Sequence, residues 1–157
     1  MKTIYRRIFF TILSVLMALT ASAGSPFEKF ADDAGVSRKY ISKAMLDAMG
    51  DMQIASSDML FDATDLSVVD VIETSDPKLS SKLKGEMKKI AESHNMEVLM
   101  MQRNNEYGNE KVLYGTYDKK TRKYSRLMLF NINMGWLTKC VYIEGQIDTS
   151  ILSADRF

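Results

Sequence analysis

The sequence has one cysteine, Cys140, and one histidine, His94, among its 157 residues. A disulfide within the chain and zinc sites built from several Cys and His ligands are therefore excluded. A Ser-His-Asp or Cys-His triad would have to use His94, and no serine lies in a G-x-S-x-G motif. Neither a P-loop nor a G-x-G-x-x-G motif occurs. These absences favour a protein that is not an enzyme and uses no cofactor.

Proline and glycine are also scarce, with two and eight residues respectively. They leave little room for linkers, and the sequence contains no repeat or low-complexity tract. Residues 24–157 are therefore predicted to form a single domain, which can bury a core without disulfides.

The first residues carry a targeting pattern. Lys2, Arg6 and Arg7 precede an apolar run over residues 8–20, and Ala-Ser-Ala at 21–23 supplies a signal-peptidase site. Residues 1–23 are predicted to be a signal peptide, with an uncleaved anchor as the alternative. Because no cysteine follows the run, the chain is not predicted to be a lipoprotein. We expect an exported protein that is periplasmic or associated with the outer envelope.

Charge excludes one class of partner. The chain has 21 basic and 20 acidic residues, and three of the basic residues lie within 1–23. The remainder is thus close to neutral, with a slight acidic excess, and has no general attraction to nucleic acid. No nucleic-acid partner is expected.

Periodicity places the secondary structure. Asp76 and Pro77 start a helix with an apolar stripe that runs to His94. Residues 53–65 have an ambiguous pattern and are predicted as loop, with a helical turn as the alternative. Shorter elements are a helix over 25–34, strands over 36–42 and 66–74, and a helical stripe of methionines beginning at Met45. After Asn95, four runs with a period of two, separated by short turns, predict an antiparallel meander. The fold class is α+β, with about five to six strands and helices packed on one sheet face.

The segments VSRKYISKAMLDAM, VDVIETSDPKLSSKLKGEMKKIAE and MEVLMMQRNNEYGNEKVLYGTYD, with a closing strand IEGQID, run through nearly the whole of residues 24–157. In sequence and order they resemble the domain of unknown function family 4252, exported proteins of Gram-negative bacteria. The resemblance implies a periplasmic or envelope location and one α+β domain. It implies no chemistry.

Two hypotheses concern metal or acid chemistry. Methionine is frequent, with 12 residues, and thioethers can hold Cu(I). The candidate copper ligands are Met45, Met49, Met52, His94 and Met96, although methionine also fills irregular core gaps. Asp58, Asp62 and Asp65 would share one face if their segment were helical and could bind a hard cation, although the calcium-loop pattern is missing. Solvated or capping side chains are the ordinary explanation of such a cluster. A weaker alternative is a hydrolase with paired carboxylates, for which the sequence singles out no pair.

Cys140 and His94 have ordinary structural explanations as well. Cys140 lies in the middle of a predicted strand, away from any helix terminus, and is expected to be a small packed residue. His94 is expected to cap the long helix. The lysines of that helix and the KKTRK turn at 119–123 could contact a membrane surface peripherally, but they are also typical solvated faces.

Aromatic residues are concentrated in the predicted strands. If helices leave one sheet face open, these side chains form a recognition surface; if helices cover both faces, they are core. The sequence therefore favours a binding module for another envelope protein or for a small apolar or peptide ligand. The predicted binding residues are Tyr114, Tyr117, Tyr124, Phe130, Trp136 and Tyr142.

Overall fold

A computed structural model describes residues 24–49, 52–56 and 59–148 of the chain, without the side chains of 52–56 and 59–62. The predicted signal peptide, Asp58 and the tail from residue 149 lie outside this description. The helical elements are a short 3-10 helix (Glu28–Phe30), α1 (Lys43–Met49) and α2 (Pro77–Ser93). The strands are β1 (Val36–Ile41), β2 (Met52–Ser56), β3 (Met59–Thr74), β4 (Glu97–Asn104), β5 (Asn109–Asp118), β6 (Lys123–Asn133) and β7 (Leu137–Asp148).

The seven strands of the described residues join one antiparallel sheet, six of them in the order β1-β3-β7-β6-β5-β4. The predicted meander of β4 to β7 is confirmed. β2 pairs with the first part of β3, and β1 pairs with its last part, so that both border the β3 edge opposite β7. The prediction of a loop over 53–65 is wrong, because this stretch forms the β2–β3 hairpin. Its period is broken by a bulge between Thr64 and Val68, where Asp65 has a φ of 50°.

The helix α2 begins as its sequence predicts. The Asp76 side chain accepts hydrogen bonds from the backbone N–H groups of Lys78 at 2.7 Å and Leu79 at 3.1 Å, and Pro77 occupies the first turn. Both features fix the helix start, because the first N–H groups of a helix have no partner within it. The buried stripe Leu83, Met87, Ile90 and Ala91 then turns one face of the helix onto the sheet.

The sheet has an apolar cluster on each face. Along β7, Cys140 and Tyr142 point to the face covered by α2, and Val141 and Ile143 point to the other. The second cluster receives Leu46 from α1. The α+β class is confirmed. Helices were predicted on one sheet face, and α2 and the 3-10 helix do share one, but α1 lies against the opposite face because Leu46 packs into the second cluster.

The segment before β1 covers only one side of α2. Phe27 packs edge-on against Tyr142, with ring centroids 5.9 Å apart. Lys29 pairs with Glu86 of the helix, and Lys82 pairs with Asp33 at 2.8 Å. The opposite side of α2, above β4 and β5, receives no such segment within the described residues. None of the helices in the described ranges is sufficiently long and apolar to cross a membrane.

Candidate ligand-binding cleft

The uncovered side of α2 forms a cleft with β4, β5 and β6. Its volume is about 360 Å³. This lies within the range of roughly 300–1,000 Å³ that is typical of small-molecule sites. The lining residues are Lys84, Met87, Lys88, Ala91, Glu92, Met96, Met101, Arg103, Glu110, Val112, Tyr114 and Phe130.

One wall of the cleft is a flank of α2. Lys84, Lys88 and Glu92 follow one another at intervals of four residues and therefore line the flank of α2. Met87 and Ala91 lie next to them and are buried against the sheet. A polar row thus borders an apolar one, which gives the cleft a charged mouth and an apolar interior.

The sheet supplies most of the apolar surface. Val112 and Phe130 are buried and directly paired across β5 and β6. Tyr114 is half-buried two residues further along β5, and Met101 on the edge strand β4 is 56% exposed. Because side chains alternate along a strand, these residues share the face under α2. The floor of the cleft therefore extends from buried Phe130 of the first core cluster to Tyr114 and to exposed Met101 at the sheet edge.

An ion-pair cluster stands at the mouth. Glu110 accepts hydrogen bonds from Lys84 and from Arg103, the latter at 2.9 Å. Burial acts to raise the pKa of the Glu110 carboxyl, but the two cations outweigh it, and the pKa lies below its usual range. Glu110 is therefore ionised and pairs with Lys84 and Arg103, two of the three cations that line the cleft. Lys88 and Glu92 make no ion pair in the part of the chain that the structure describes.

Tyr114 places a hydroxyl group in the cleft. Burial raises the pKa of this phenol, and the charges of Glu110 and Glu92 raise it further. The hydroxyl consequently stays protonated in neutral solution and can act as a hydrogen-bond donor. Within the described ranges it has no hydrogen-bond partner.

The six predicted binding aromatics do not form one surface. Phe130 and Tyr142 are buried under α2, and only Phe130 and Tyr114 line the cleft. Tyr124 packs with the second cluster and meets exposed Tyr117 edge-on, with ring centroids 5.3 Å apart. Trp136, which is 41% exposed, lies in the turn between β6 and β7.

The candidate copper ligands lie on both sides of the sheet. Met45 and Met49 are exposed on α1, whereas His94 follows α2 on the other face, with Met96 buried beside it. His94 Nδ1 lies 3.0 Å from both the Ile90 carbonyl and Ser93 Oγ. Met52 begins β2, so the helical methionine stripe ends before it. The structure does not bring these residues together.

The acidic residues do not share a helix face as predicted. Asp62 and Asp65 belong to β3 and not to a helix, and Asp58 lies outside the described residues. In the ranges that the structure describes, no three His, Cys, Asp or Glu side chains are grouped to hold a metal ion. Cys140 is fully buried, as expected, and burial raises the pKa of its thiol.

Sequence reasoning missed Arg103 and Glu110. Both were hidden in polar stretches that flank a hairpin turn, and they meet because β4 and β5 pair them directly. The directly opposed charges at matching hairpin positions were a usable signal. The contact of Glu110 with Lys84 was not visible, because it depends on how α2 crosses the sheet.

Comparison with known proteins gives one match. The family described as a domain of unknown function, DUF4252, matches residues 28–154. No curated protein and no solved structure matches the chain.

Proposed function

The chain belongs to the DUF4252 family, and from its cleft we propose that it is a non-enzymatic module that binds a small apolar ligand between α2 and β4–β6. The single observation that carries this proposal is the cleft itself. Buried Val112 and Phe130 form its base, and exposed Met101 and half-buried Tyr114 leave apolar surface accessible beside α2. Burial of apolar ligand surface there is favourable by roughly 25 cal/mol per Å².

The cleft has the composition expected of a binding site more than of a catalytic one. Its carboxylates are Glu92 and Glu110, and Glu110 is held by two cations. Among the lining residues that the structure describes, none is a serine, threonine or cysteine that could act as a nucleophile. An apolar cavity with a few polar groups at its mouth is the usual arrangement for orienting a small molecule.

We further propose that the module acts after export, with residues 1–23 as a cleaved signal peptide. The support is the basic, apolar and small-residue order of that stretch. Cell fractionation with amino-terminal sequencing of the recovered protein tests this point. A product that still begins at Met1 in the cytoplasmic fraction would contradict it.

Ligand binding can be tested with a neutral fluorescent probe. N-phenyl-1-naphthylamine fluoresces in apolar surroundings, and its emission should rise on titration with the purified protein. In Met101→Trp, a large ring at the mouth fills the entrance, and we expect at least a several-fold loss of probe affinity. Because Met101 is 56% exposed, the substitution should leave the fold intact.

Val98→Trp is the matched control. Val98 lies on the same strand, is 52% exposed and does not line the cleft. Its probe affinity should equal that of the unchanged protein. Equal binding by all three proteins would place the probe elsewhere, and absence of probe binding would contradict the proposed function outright.

A further inference from the structure

We propose that the ligand of the cleft is an amphiphile with a single anionic group, such as a medium-chain carboxylate, and that Lys88 receives that group. This inference rests on the proposed function and names the chemistry of its ligand. The apolar chain would lie along Met101 and Tyr114, above buried Val112 and Phe130, and the anion would lie at the mouth.

The charges at the mouth carry the first step. The lining residues include three cations, Lys84, Lys88 and Arg103, and two carboxylates, Glu92 and Glu110. The mouth therefore has a surplus of one positive charge. A ligand with one negative charge neutralises it, whereas a second negative charge would remain unpaired close to the carboxylates.

The ion pairs at the mouth show which cation is available to bind a ligand anion. Lys84 and Arg103 both donate to Glu110, and a ligand anion would have to compete with that carboxylate for them. Lys88 has no ion-pair partner among the described residues, although it lines the same cavity. An ammonium group with three donors on a flexible stem can follow a ligand headgroup without disturbing the fold.

Tyr114 supplies a second hydrogen-bond donor for the anionic group. Its hydroxyl has no hydrogen-bond partner in the described part of the chain and lies in the same cavity as Lys88. A carboxylate has two acceptor oxygens, so it can bind an ammonium and a hydroxyl donor together. A plain hydrocarbon would leave both groups unused.

The test measures displacement of N-phenyl-1-naphthylamine by decanoate and by decan-1-ol, which share a chain and differ in headgroup charge. Decanoate should bind more tightly than decan-1-ol to the unchanged protein. Lys88→Gln should weaken the affinity for decanoate by about five-fold, which is the upper part of the range for an exposed ion pair. The affinity for decan-1-ol should not change. Glu92→Gln should strengthen decanoate, because it removes a like charge from the mouth.

Lys78→Gln is the matched control, since it removes one exposed lysine from the same helix outside the cleft. Its decanoate affinity should stay close to that of the unchanged protein. A loss as large as that of Lys88→Gln would show a general charge effect and overturn the role of Lys88. Equal affinity for decanoate and decan-1-ol would overturn the anionic class while leaving the cleft as a binding site. If the probe itself does not bind, the proposed function fails and this inference fails with it.

Discussion

Arg38 of β1 and Asp70 of β3 form a bidentate ion pair on the sheet face that α2 covers. Arg38 Nη2 donates to Asp70 Oδ2 at 2.8 Å, and Arg38 Nε donates to Oδ1 at 3.1 Å. The Asp70 side chain is fully buried, and the guanidinium also lies 5.2 Å from the centre of the Tyr40 ring. This pair ties the edge strand β1 to the sheet by a contact whose carboxylate is shielded from water.

Removal of the cation should therefore be costly. Arg38→Met leaves the Asp70 carboxylate buried without a partner, and we expect the free energy of unfolding to fall by about 3–5 kcal/mol. Urea denaturation followed by circular dichroism measures this change. The control is the double variant Arg38→Met/Asp70→Leu, which removes both charges and should recover most of the loss. A single variant as stable as the unchanged protein would contradict the buried ion pair.

Cys140 should behave as an inert core residue. Burial raises the pKa of its thiol, which suppresses the thiolate that reacts with disulfide reagents. We expect no reaction with 5,5′-dithiobis(2-nitrobenzoate) in the native protein and complete reaction after unfolding in guanidinium chloride. Cys140→Ser should destabilise the fold by about 1–3 kcal/mol, because it buries a hydroxyl in an apolar cluster. Cys140→Ala is the control for lost volume. Rapid native labelling would show that the thiol is accessible.

Glu86 should make stability depend on pH in acid. Hydrogen bonds from Lys29 and then Lys89 lower the pKa of its carboxyl from 4.5 to about 2. The unfolded state then binds more protons between these two values, so this contribution is full above pH 4.5 and is lost as the pH falls towards 2. Glu86→Gln should flatten the decline of the urea midpoint in that window. Glu97→Gln, which removes an exposed carboxylate that has no ion pair among the described residues, should leave the decline unchanged.

Local signals in the sequence predicted much of the fold. One helix contains both the Asp76–Pro77 start and the apolar stripe of Leu83, Met87 and Ile90. Each of the strands β4 to β7 likewise contains its own alternation of apolar and polar residues. The β2–β3 hairpin escaped prediction because the β3 bulge at Asp65 interrupts the period that marks a strand. Pairing with β7 along most of β3 outweighs that irregularity.

The cleft could not be predicted from such signals. It exists because the segment around Phe27 and Asp33 packs on one side of α2 and leaves the other side open. That choice depends on contacts between residues far apart in sequence, such as Lys82 with Asp33. The sequence placed Tyr114 and Phe130 in strands, but it did not show which sheet face they share or whether a helix would cover it.

Three glycine-to-alanine substitutions should give three different results. The turns between β4 and β5 and between β6 and β7 contact each other, and the Gly135 N–H donates to the Gly108 carbonyl at 3.0 Å. Both glycines have positive φ, 63° at Gly108 and 75° at Gly135. A Cβ on Gly108 would lie 3.0 Å from the Gly135 backbone, whereas a Cβ on Gly135 would meet no atom within 4 Å.

Gly135→Ala should therefore lower the free energy of unfolding by about 1 kcal/mol, from backbone strain alone. Gly108→Ala should lower it further, because the two turns must also separate. Gly85→Ala, in the exposed flank of α2 with no atom within 4 Å of the added Cβ, should instead raise it by about 0.5–1 kcal/mol. Urea denaturation of the three variants measures the order. If Gly108→Ala proves no more destabilising than Gly135→Ala, the two turns are not packed against each other in solution.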